Sequence, residues 1–381
     1  MKKKKEGSYA LLIGAVFVGL IIFLWLRTGN IGEEIENTNI NNTPVYVVFN
    51  SHNEESWNLD KEQRYLDYRE DLLERLKIID EYGATFNWQS DYSVLLSMIK
   101  YEKGDILDDT NGKNILRYMV EDLGFSVDPH LHPTEYNYAD LAYLIEQLDV
   151  EPSNVIGGSI VRECVIGVIT YNDWKDYLEI QSDGYIYGSV YPNYKWKPEI
   201  MSGAGSAEHQ FDVLDSGMWI PGDSENYHEP QNNGQIVHFG VGYSHDTTLF
   251  GATEASGAEI LYGDGGYIKE LVGKIEKGEV PSGKFYTANL QVRDVEVVSG
   301  TGKVTNDGLR EILEELKPYA ESGQIKYVTY QQAVEIWETE YNSEPNQLDI
   351  SEFSVYDKIK AAEDEYCNSE TTSGNSFYSF Q

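Results

Sequence analysis

Cysteine and basic residues are both scarce in this 381-residue chain, and each scarcity excludes a class of protein. The two cysteines, Cys164 and Cys367, are too few for a scaffold held together by disulfides. Cys164 lies in an apolar stretch typical of a core residue, whereas Cys367 lies in a polar segment. Lysine and arginine number 29 against 64 acidic residues, a formal net charge of −35. Such a chain repels phosphate backbones, so we expect no nucleic-acid partner.

Long apolar runs are absent after the first 26 residues, and the one run before that point stands out. Lys2–Lys5 precede a nearly unbroken apolar stretch over residues 9–26. As a helix this stretch would reach about 27 Å, close to the hydrocarbon thickness of a bilayer. It lacks the small-residue cleavage site of a signal peptide, so we predict an uncleaved single-pass anchor, with a cleaved signal as the alternative. The lysines favour a cytoplasmic N-terminus, which places residues 28–381 outside the cell membrane.

Composition divides the chain into a large globular part between polar segments. Residues 1–27 hold the lysines and the anchor, and the Asn-rich residues 28–44 are predicted to form a stalk. Residues 45–341 are long enough to bury one large core. Within them, residues 162–235 are irregular and rich in Gly, Tyr and Trp, which indicates a large loop-rich insertion. Residues 342–381 are polar and are predicted to be a mobile tail.

Short apolar runs alternate with helical patterns through the globular part. The predicted strands cover residues 45–49, 84–88, 125–127, 155–160, 236–241, 285–292 and 326–329. The predicted helices cover residues 65–82, 91–100, 114–123, 138–148 and 305–319. This alternation predicts a parallel sheet with helical crossovers, either an open doubly wound sheet or a closed β/α barrel. Ligands of both architectures bind at the carboxyl ends of the strands, so the residues there are the first candidates for chemistry.

Histidine is also scarce, with seven in the whole chain, yet two of them stand one residue apart. In an extended segment, side chains at positions i and i+2 point to the same side, so His130 and His132 can converge on one ion. Pro129 and Pro133 each disfavour the helical conformation of the residue before them, which keeps this segment extended. The alternative is a pair of strand-end histidines that only form hydrogen bonds.

Further candidate ligands, His52 and Glu54, follow the first predicted strand. Zn²⁺ takes imidazole nitrogen and carboxylate oxygen, and catalytic zinc sites often use three protein ligands and a water. His52, His130 and His132 would supply such a set. Glu54 or Asp128 would then act as the general base or replace one ligand. The alternative for His52 and Glu54 is a solvated loop.

Three segments of the chain stand in an order found in one enzyme superfamily. IIDEYGATFNWQSDY is similar to a second-strand segment, and FSVDPHLHP falls at a metal-binding histidine motif. GLREILEELKPYAESGQIKYVTYQQAVEIW is similar to a closing helix, strand and helix. Together they resemble the polysaccharide deacetylase (NodB-like) superfamily of glycoside hydrolase/deacetylase-type barrels, over about residues 45–160 and 285–338. The resemblance implies an irregular (β/α)7-type barrel, here with the loop-rich insertion and an N-terminal transmembrane helix.

The resemblance also implies a reaction. A divalent metal, expected to be zinc, would activate a water that attacks the carbonyl of an acetyl group on a sugar. His130 matches the first histidine of the family's motif, and His132 stands for the second in a shorter H-x-H form.

The chain departs from the family's pattern at two places. The family's aspartate pair after the first strand falls on Asn50-Ser51 or on the following His52-Asn53-Glu54. Its late histidine falls within residues 291–294, which contain none. His209, in a Gly-rich loop, is the candidate replacement as acid or ligand, and an exposed polar role is the alternative for this residue.

These expectations combine into one function and its rivals. We expect a membrane-anchored, extracytoplasmic, metal-dependent hydrolase that removes acetyl groups from a glycan. The first alternative is a catalytically inactive surface barrel of the same type that binds glycan or a protein partner. The second is a hydrolase of the same fold that acts on a glycosidic or amide bond.

Overall fold

Strands and helices alternate along the part of the chain that the computed structural model describes, which is residues 43–53, 59–131, 136–157, 189–202, 215–222, 229–241, 245–246, 265–292, 306–349 and 353. The strands are β1 (Val45–Asn53), β2 (Phe86–Ser90), β3 (Ser126–Pro129), β4 (Val155–Gly157), β5 (Ile200–Ser202), β6 (Asp215–Trp219), β7 (Val237–Val241), β8 (His245–Asp246), β9 (Tyr286–Gln291), β10 (Ile325–Tyr327) and β11 (Leu348–Asp349). The helices are α1 (Glu62–Glu81), α2 (Tyr92–Tyr101), α3 (Ile115–Arg117), α4 (Tyr138–Glu146), α5 (Gly266–Lys277), α6 (Asn306–Glu321) and α7 (Tyr330–Glu340). A 3₁₀ helix (Gly104–Thr110) precedes α3, and a π-helical turn (Tyr118–Asp122) follows it.

The strands form two sheets. In the first sheet, β3, β2, β1, β9 and β8 are parallel neighbours in that order, and β10 pairs in parallel with the start of β1. In the second sheet, β4, β5 and β7 are parallel, β6 is antiparallel to β7, and β11 is antiparallel to β6. The predicted parallel sheet with helical connections is therefore confirmed, within a mixed α/β fold.

Short contacts join the two sheets. His130, directly after β3, forms a parallel bridge with Gly157 of β4. The hydroxyl of Ser216 in β6 donates a hydrogen bond of 2.7 Å to the carbonyl of Thr287 in β9. The amide of Gly217 donates one of 2.6 Å to the Thr287 hydroxyl. Across the described residues the backbone ladders remain those of two sheets, so a closed (β/α)7-type barrel stays a prediction.

The side chains of β1 serve two apolar cores because successive residues of a strand point to opposite faces. Val45, Val47 and Phe49 belong to the larger core, which includes the buried faces of the helices. Tyr46 and Val48 point the other way, into a second core. Both sheets contribute to this second core, whose further members include Val155, Ile200, Met218, Phe239 and Phe285. We call the face of each sheet that carries these residues its inner face, and the strands of that sheet share it.

β1 continues beyond Phe49, where the apolar pattern predicts its end. Residues Phe49 to Asn53 pair in parallel with Phe86 to Ser90 of β2. Asn50, His52 and Asn53 are fully or almost fully buried there. The extension escaped prediction because polar residues after an apolar run normally indicate a loop, and only the neighbouring strand makes their burial favourable.

Three short strands lie in segments where the sequence predicts no regular structure. β5 and β6 lie within residues 162–235, where the sequence predicts an irregular insertion, and both are too short or too polar to give an apolar run. β11 lies within the predicted tail and pairs with β6.

The predicted anchor at residues 9–26 is not described, and no helix in the described ranges is long and apolar enough to cross a bilayer.

Candidate functional site

Polar side chains occupy the inner faces of four neighbouring strands, β3, β2, β1 and β9, at their carboxyl ends. Strand pairing sets Asn50 of β1 level with Asn87 of β2 and with Gln291 of β9. The next inner-face level holds His52 of β1, Gln89 of β2 and Asp128 of β3. All six side chains are at most 1 % exposed. Because the carboxyl ends of parallel strands are the usual ligand site, this buried polar group is the candidate functional site.

Two of the three predicted metal-binding histidines come together here. The rings of His52 and His130 lie with their centroids 4.0 Å apart, tilted by 32°. β2 lies between β1 and β3, and strands two apart are separated by about 10 Å, so the two rings must lean towards each other across β2. The amide of His130 donates a hydrogen bond of 3.1 Å to the carbonyl of Ser90, which fixes the backbone of His130 to the end of β2.

Asp128 lies fully buried, two residues before His130, and both of its carboxylate oxygens accept hydrogen bonds. Oδ2 accepts from the side-chain amides of Asn87 (2.8 Å) and Gln89 (3.2 Å), and Oδ1 accepts from the hydroxyl of Ser126 (2.7 Å). Burial raises the pKa of Asp128, while hydrogen bonds from Ser153 and from these groups oppose that rise. These contacts hold the carboxylate in place, which favours an organising role, and its predicted role as base or ligand stays a prediction.

Gln89 and Asn50 extend this network from Asp128 towards the histidines. Gln89 donates to Asp128, and its Oε1 accepts a hydrogen bond of 3.4 Å from the side-chain amide of Asn50. The same Asn50 nitrogen lies 3.5 Å from Nε2 of His52, at the outer limit of a hydrogen bond. The polar side chains of β1, β2 and β3 therefore form one connected buried network, and we call the Asp128–Gln89–Asn50 series the amide relay.

Gly157 makes room for the amide relay. A Cβ atom at this position would lie 2.7 Å from Cδ and Oε1 of Gln89, closer than side chains approach each other. Gly157→Ala should therefore push Gln89 aside and lower the free energy of unfolding by about 1–3 kcal/mol, as overpacking does elsewhere. Urea unfolding measures this, with Gly273→Ala as the matched control, because a Cβ at Gly273 in α5 would meet nothing within 4 Å. Equal stabilities of the two variants would contradict the proposed tight fit.

Below the relay, a buried tyrosine ties the first sheet to the second. The backbone amide of Tyr330 donates a hydrogen bond of 3.2 Å to Oδ1 of Asn87. The hydroxyl of Tyr330 accepts hydrogen bonds from Asn289 of β9 (2.7 Å) and from Ser202 of β5 (3.0 Å). Burial raises the pKa of this hydroxyl, so it stays neutral at physiological pH. Tyr330 therefore joins β9 to β5 beneath the site through a neutral hydroxyl group.

The other predicted site residues, Glu54, His132 and His209, lie outside the described residues. Across the residues that are described, no group of three or more His, Cys, Asp and Glu side chains is arranged to hold a metal ion. The two buried imidazoles at 4.0 Å nevertheless have the donor chemistry of a zinc site. They fit such a site as two of its ligands.

Sequence reasoning missed the buried amides that surround the histidines. Their signal is the strand period of two, continued past the apolar run: Asn50 precedes His52, Asn87 precedes Gln89, and Asn289 precedes Gln291, each by two residues. In β1 this period places Asn50 and His52 on the inner face, in line with the apolar Tyr46 and Val48 before them.

Comparisons with known proteins return only distant similarity. No protein family model and no curated protein matches the chain. A solved structure from Mycobacterium smegmatis, described as a "putative polysaccharide deacetylase", aligns with a TM-score of 0.42 and 11% identity over 81% of this chain and 94% of that one. The 4-alpha-glucanotransferase from Thermococcus litoralis aligns with a TM-score of 0.38 and 10% identity over 76% of this chain and 38% of that one. Similarity this distant does not assign the chain to a family.

Proposed function

We propose that the protein is a metal-dependent hydrolase that removes acetyl groups from a glycan. One observation carries the proposal: the buried rings of His52 and His130, 4.0 Å apart at the carboxyl ends of parallel strands. Two imidazoles brought together from separate strands match the donors that zinc prefers. The sequence resemblance to the polysaccharide deacetylase superfamily supports the reaction class, and with it the closed β/α barrel.

The proposed metal would be held by His52 and His130, with His132 or Glu54 as the third ligand. A zinc ion held there would supply a water of lowered pKa and a Lewis acid for the acyl carbonyl. Asp128 and its hydrogen-bond partners would hold the end of β3, and therefore the backbone that carries His130, in a fixed position. With His132 as the third ligand, Glu54 would accept the proton of the attacking water; with Glu54 as the third ligand, Asp128 would be the base. His209 would protonate the leaving group.

We also propose that this reaction takes place outside the cell membrane. The support is the apolar run over residues 9–26 behind Lys2–Lys5, which has the length of a bilayer-spanning helix. The net charge of −35 favours neutral or cationic partners over polyanions. An acetylated, uncharged glycan is compatible with an extracytoplasmic reaction and with the negative charge of the protein.

Metal content and acetate release test the proposal together. The purified full-length protein should contain about one zinc ion per chain, the number that a single three-ligand site holds. Incubation with acetylated xylan and with N-acetylglucosamine oligomers should release acetate, and a chelator should stop this release. A protein that retains no divalent metal after purification in zinc-containing buffer would contradict the metal-dependent hydrolase.

A catalytically inactive glycan-binding protein is the second candidate. The observation that favours it is that the two segments in which the resemblance leads one to expect an acid or base contain the buried amides Asn50 and Gln291. Amides bind sugars by hydrogen bonds but do not act as acids or bases near neutral pH. Glycan binding without acetate release, in a protein that does hold zinc, would select this candidate.

A further inference from the structure

The carboxyl end of β1, which carries His52, is paired on one side in the part of the chain that the structure describes. Pairing with β9 ends at Asn50, and residues 51–53 pair with residues 88–90 of β2. Strand ends open more easily than strand centres, and pairing on a single side leaves fewer hydrogen bonds to prevent it. The ring of His52 can stay 4.0 Å from that of His130 only if other contacts hold this end in place.

The two neighbours of His52 in the chain supply such contacts from the opposite face of the sheet. Successive strand residues alternate in direction, so Ser51 and Asn53 lie on the face that carries Phe49, which we call the outer face. Nδ2 of Asn53 donates hydrogen bonds of 3.0 Å to Oγ of Ser51 and to the carbonyl of Gln89. The first bond joins the two residues that flank His52, and the second ties the end of β1 to β2.

Tyr68 of α1 fixes the orientation of the Asn53 amide. The indole N–H of Trp88, which can only donate, donates a hydrogen bond of 3.3 Å to the hydroxyl of Tyr68. The proton of that hydroxyl is then donated to Oδ1 of Asn53, also at 3.3 Å. The carbonyl of Gln89 can only accept, so Nδ2 of Asn53 must face it. A donor-only group and an acceptor-only group therefore set the direction of this buried series, Trp88–Tyr68–Asn53, which we call the outer-face network.

We propose that Tyr68 and Asn53 are positioning residues that hold the imidazole of His52 against that of His130. They act through the backbone on either side of His52, from the face opposite the candidate site. Loss of the Tyr68 hydroxyl takes a partner from both Oδ1 of Asn53 and Nε1 of Trp88, which is costly for buried groups, so the end of β1 should shift. The inference rests on the proposed function only in taking the two imidazoles as metal ligands.

Tyr68→Phe tests the outer-face network because it removes the hydroxyl and keeps the ring. The matched control is Tyr286→Phe, on the same outer face but at the other end of the sheet, where Tyr286 pairs with Val45 and its hydroxyl donates 2.6 Å to the carbonyl of Pro281. Both variants should lower the unfolding temperature. Only Tyr68→Phe should weaken Zn²⁺ binding, by about tenfold, the low end of the loss when a group that supports a metal ligand is removed. Competition against a chelator, with the full-length protein, measures this affinity.

A second measurement needs no metal. The chain has seven histidines, so isotope labelling of histidine gives few ring signals, and His52→Ala and His130→Ala assign the two that matter. The nuclear Overhauser effect between these two rings should be strong in the metal-free wild type, because their centroids are 4.0 Å apart. It should be reduced or lost in Tyr68→Phe and unchanged in Tyr286→Phe.

Asn53→Ala decides the inference even if Tyr68→Phe fails to fold. It removes both the acceptor for Tyr68 and the donor to β2, so it should weaken Zn²⁺ binding at least as much as Tyr68→Phe. If Tyr68 acts through Asn53, the double variant Tyr68→Phe/Asn53→Ala should bind Zn²⁺ no more weakly than Asn53→Ala alone. Additive losses of affinity would overturn the inference, because Tyr68 would then act by another route.

The two measurements distinguish failure of the inference from failure of the proposed function. A protein that binds no Zn²⁺, but whose Tyr68→Phe variant loses the contact between the two rings, would remove the metal-dependent hydrolase and leave the positioning role. Unchanged Zn²⁺ affinity in both Tyr68→Phe and Asn53→Ala, or an unchanged nuclear Overhauser effect in both, would overturn the inference alone.

Discussion

His130→Ala should leave a folded protein that no longer holds its metal. His130 is fully buried and its ring is one of the two that meet at 4.0 Å, so its removal takes away one of the proposed ligands. Loss of a residue that only supports a ligand already costs about 10–100-fold in metal affinity, so we expect more than about 100-fold here. Zinc content after dialysis and competition against a chelator measure the change. Acetate release should fall with it, and His52→Ala should behave in the same way.

A third buried histidine provides the matched control. His238 in β7 is 1 % exposed, and its ring lies 4.4 Å from that of Trp219 in β6, within the second sheet. His238→Ala should lower stability, because it leaves a cavity beside Trp219, but it should retain zinc. Full retention of zinc by both His52→Ala and His130→Ala would show that the metal is bound elsewhere in the protein.

Part of the site could be predicted because strand ends follow simple geometry. The sequence predicts His52 and His130 at the carboxyl ends of parallel strands, and the structure brings these two residues together. The parallel direction of β1, β2 and β3 also follows from the alternation of strand and helix patterns. His132, two residues after His130, would share its side only if the strand conformation continues, and this residue stays a prediction.

The remaining features of the site depend on contacts between strands, which the sequence of any one strand does not reveal. Asn50 and Gln89 are ordinary polar residues in the sequence, and they become a buried relay only because Asp128 supplies an acceptor at the next strand. β5 has three residues, too few for any periodicity, and is identified only by its pairing with β4 and β7. The sequence therefore predicts apolar strands well and fails where polar groups are buried against each other.

Glu102→Leu should cost the protein a large part of its stability. Glu102 follows α2, and its side chain is 1 % exposed beside Arg69 of α1, which is 4 % exposed, at 2.8 Å. It also accepts hydrogen bonds from the hydroxyl of Tyr65 and from the amide of Ile115, at 3.2 Å for the latter. Leucine satisfies none of these donors, and it leaves the buried guanidinium of Arg69 with the half-exposed Asp109 as its remaining carboxylate partner. We expect the free energy of unfolding to fall by about 3 to 5 kcal/mol, measured by urea unfolding.

The exposed ion pair Lys269–Glu315, in which the charged groups are a similar distance apart, provides the control for Glu102→Leu. Its charged groups lie 2.9 Å apart with side chains 32% and 45% exposed, and Glu315→Ala should change stability by at most about 1 kcal/mol because water screens the pair. If Glu102→Leu costs no more than Glu315→Ala, then the buried pair does not stabilise the contact between α1 and the end of α2.

The double variant Arg69→Met/Glu102→Leu distinguishes attraction within the pair from the penalty of burying the Arg69 guanidinium without Glu102. An apolar pair of similar volume removes both desolvation costs, so the double variant should be more stable than Glu102→Leu alone by about 2 kcal/mol or more. The recovery should be incomplete because Arg69 also donates hydrogen bonds to Asp109 and Thr110, which methionine cannot replace. Additive losses in the double variant would show instead that each residue stabilises its helix independently. The expected non-additivity follows from contact, since residues that share one buried network do not change stability independently.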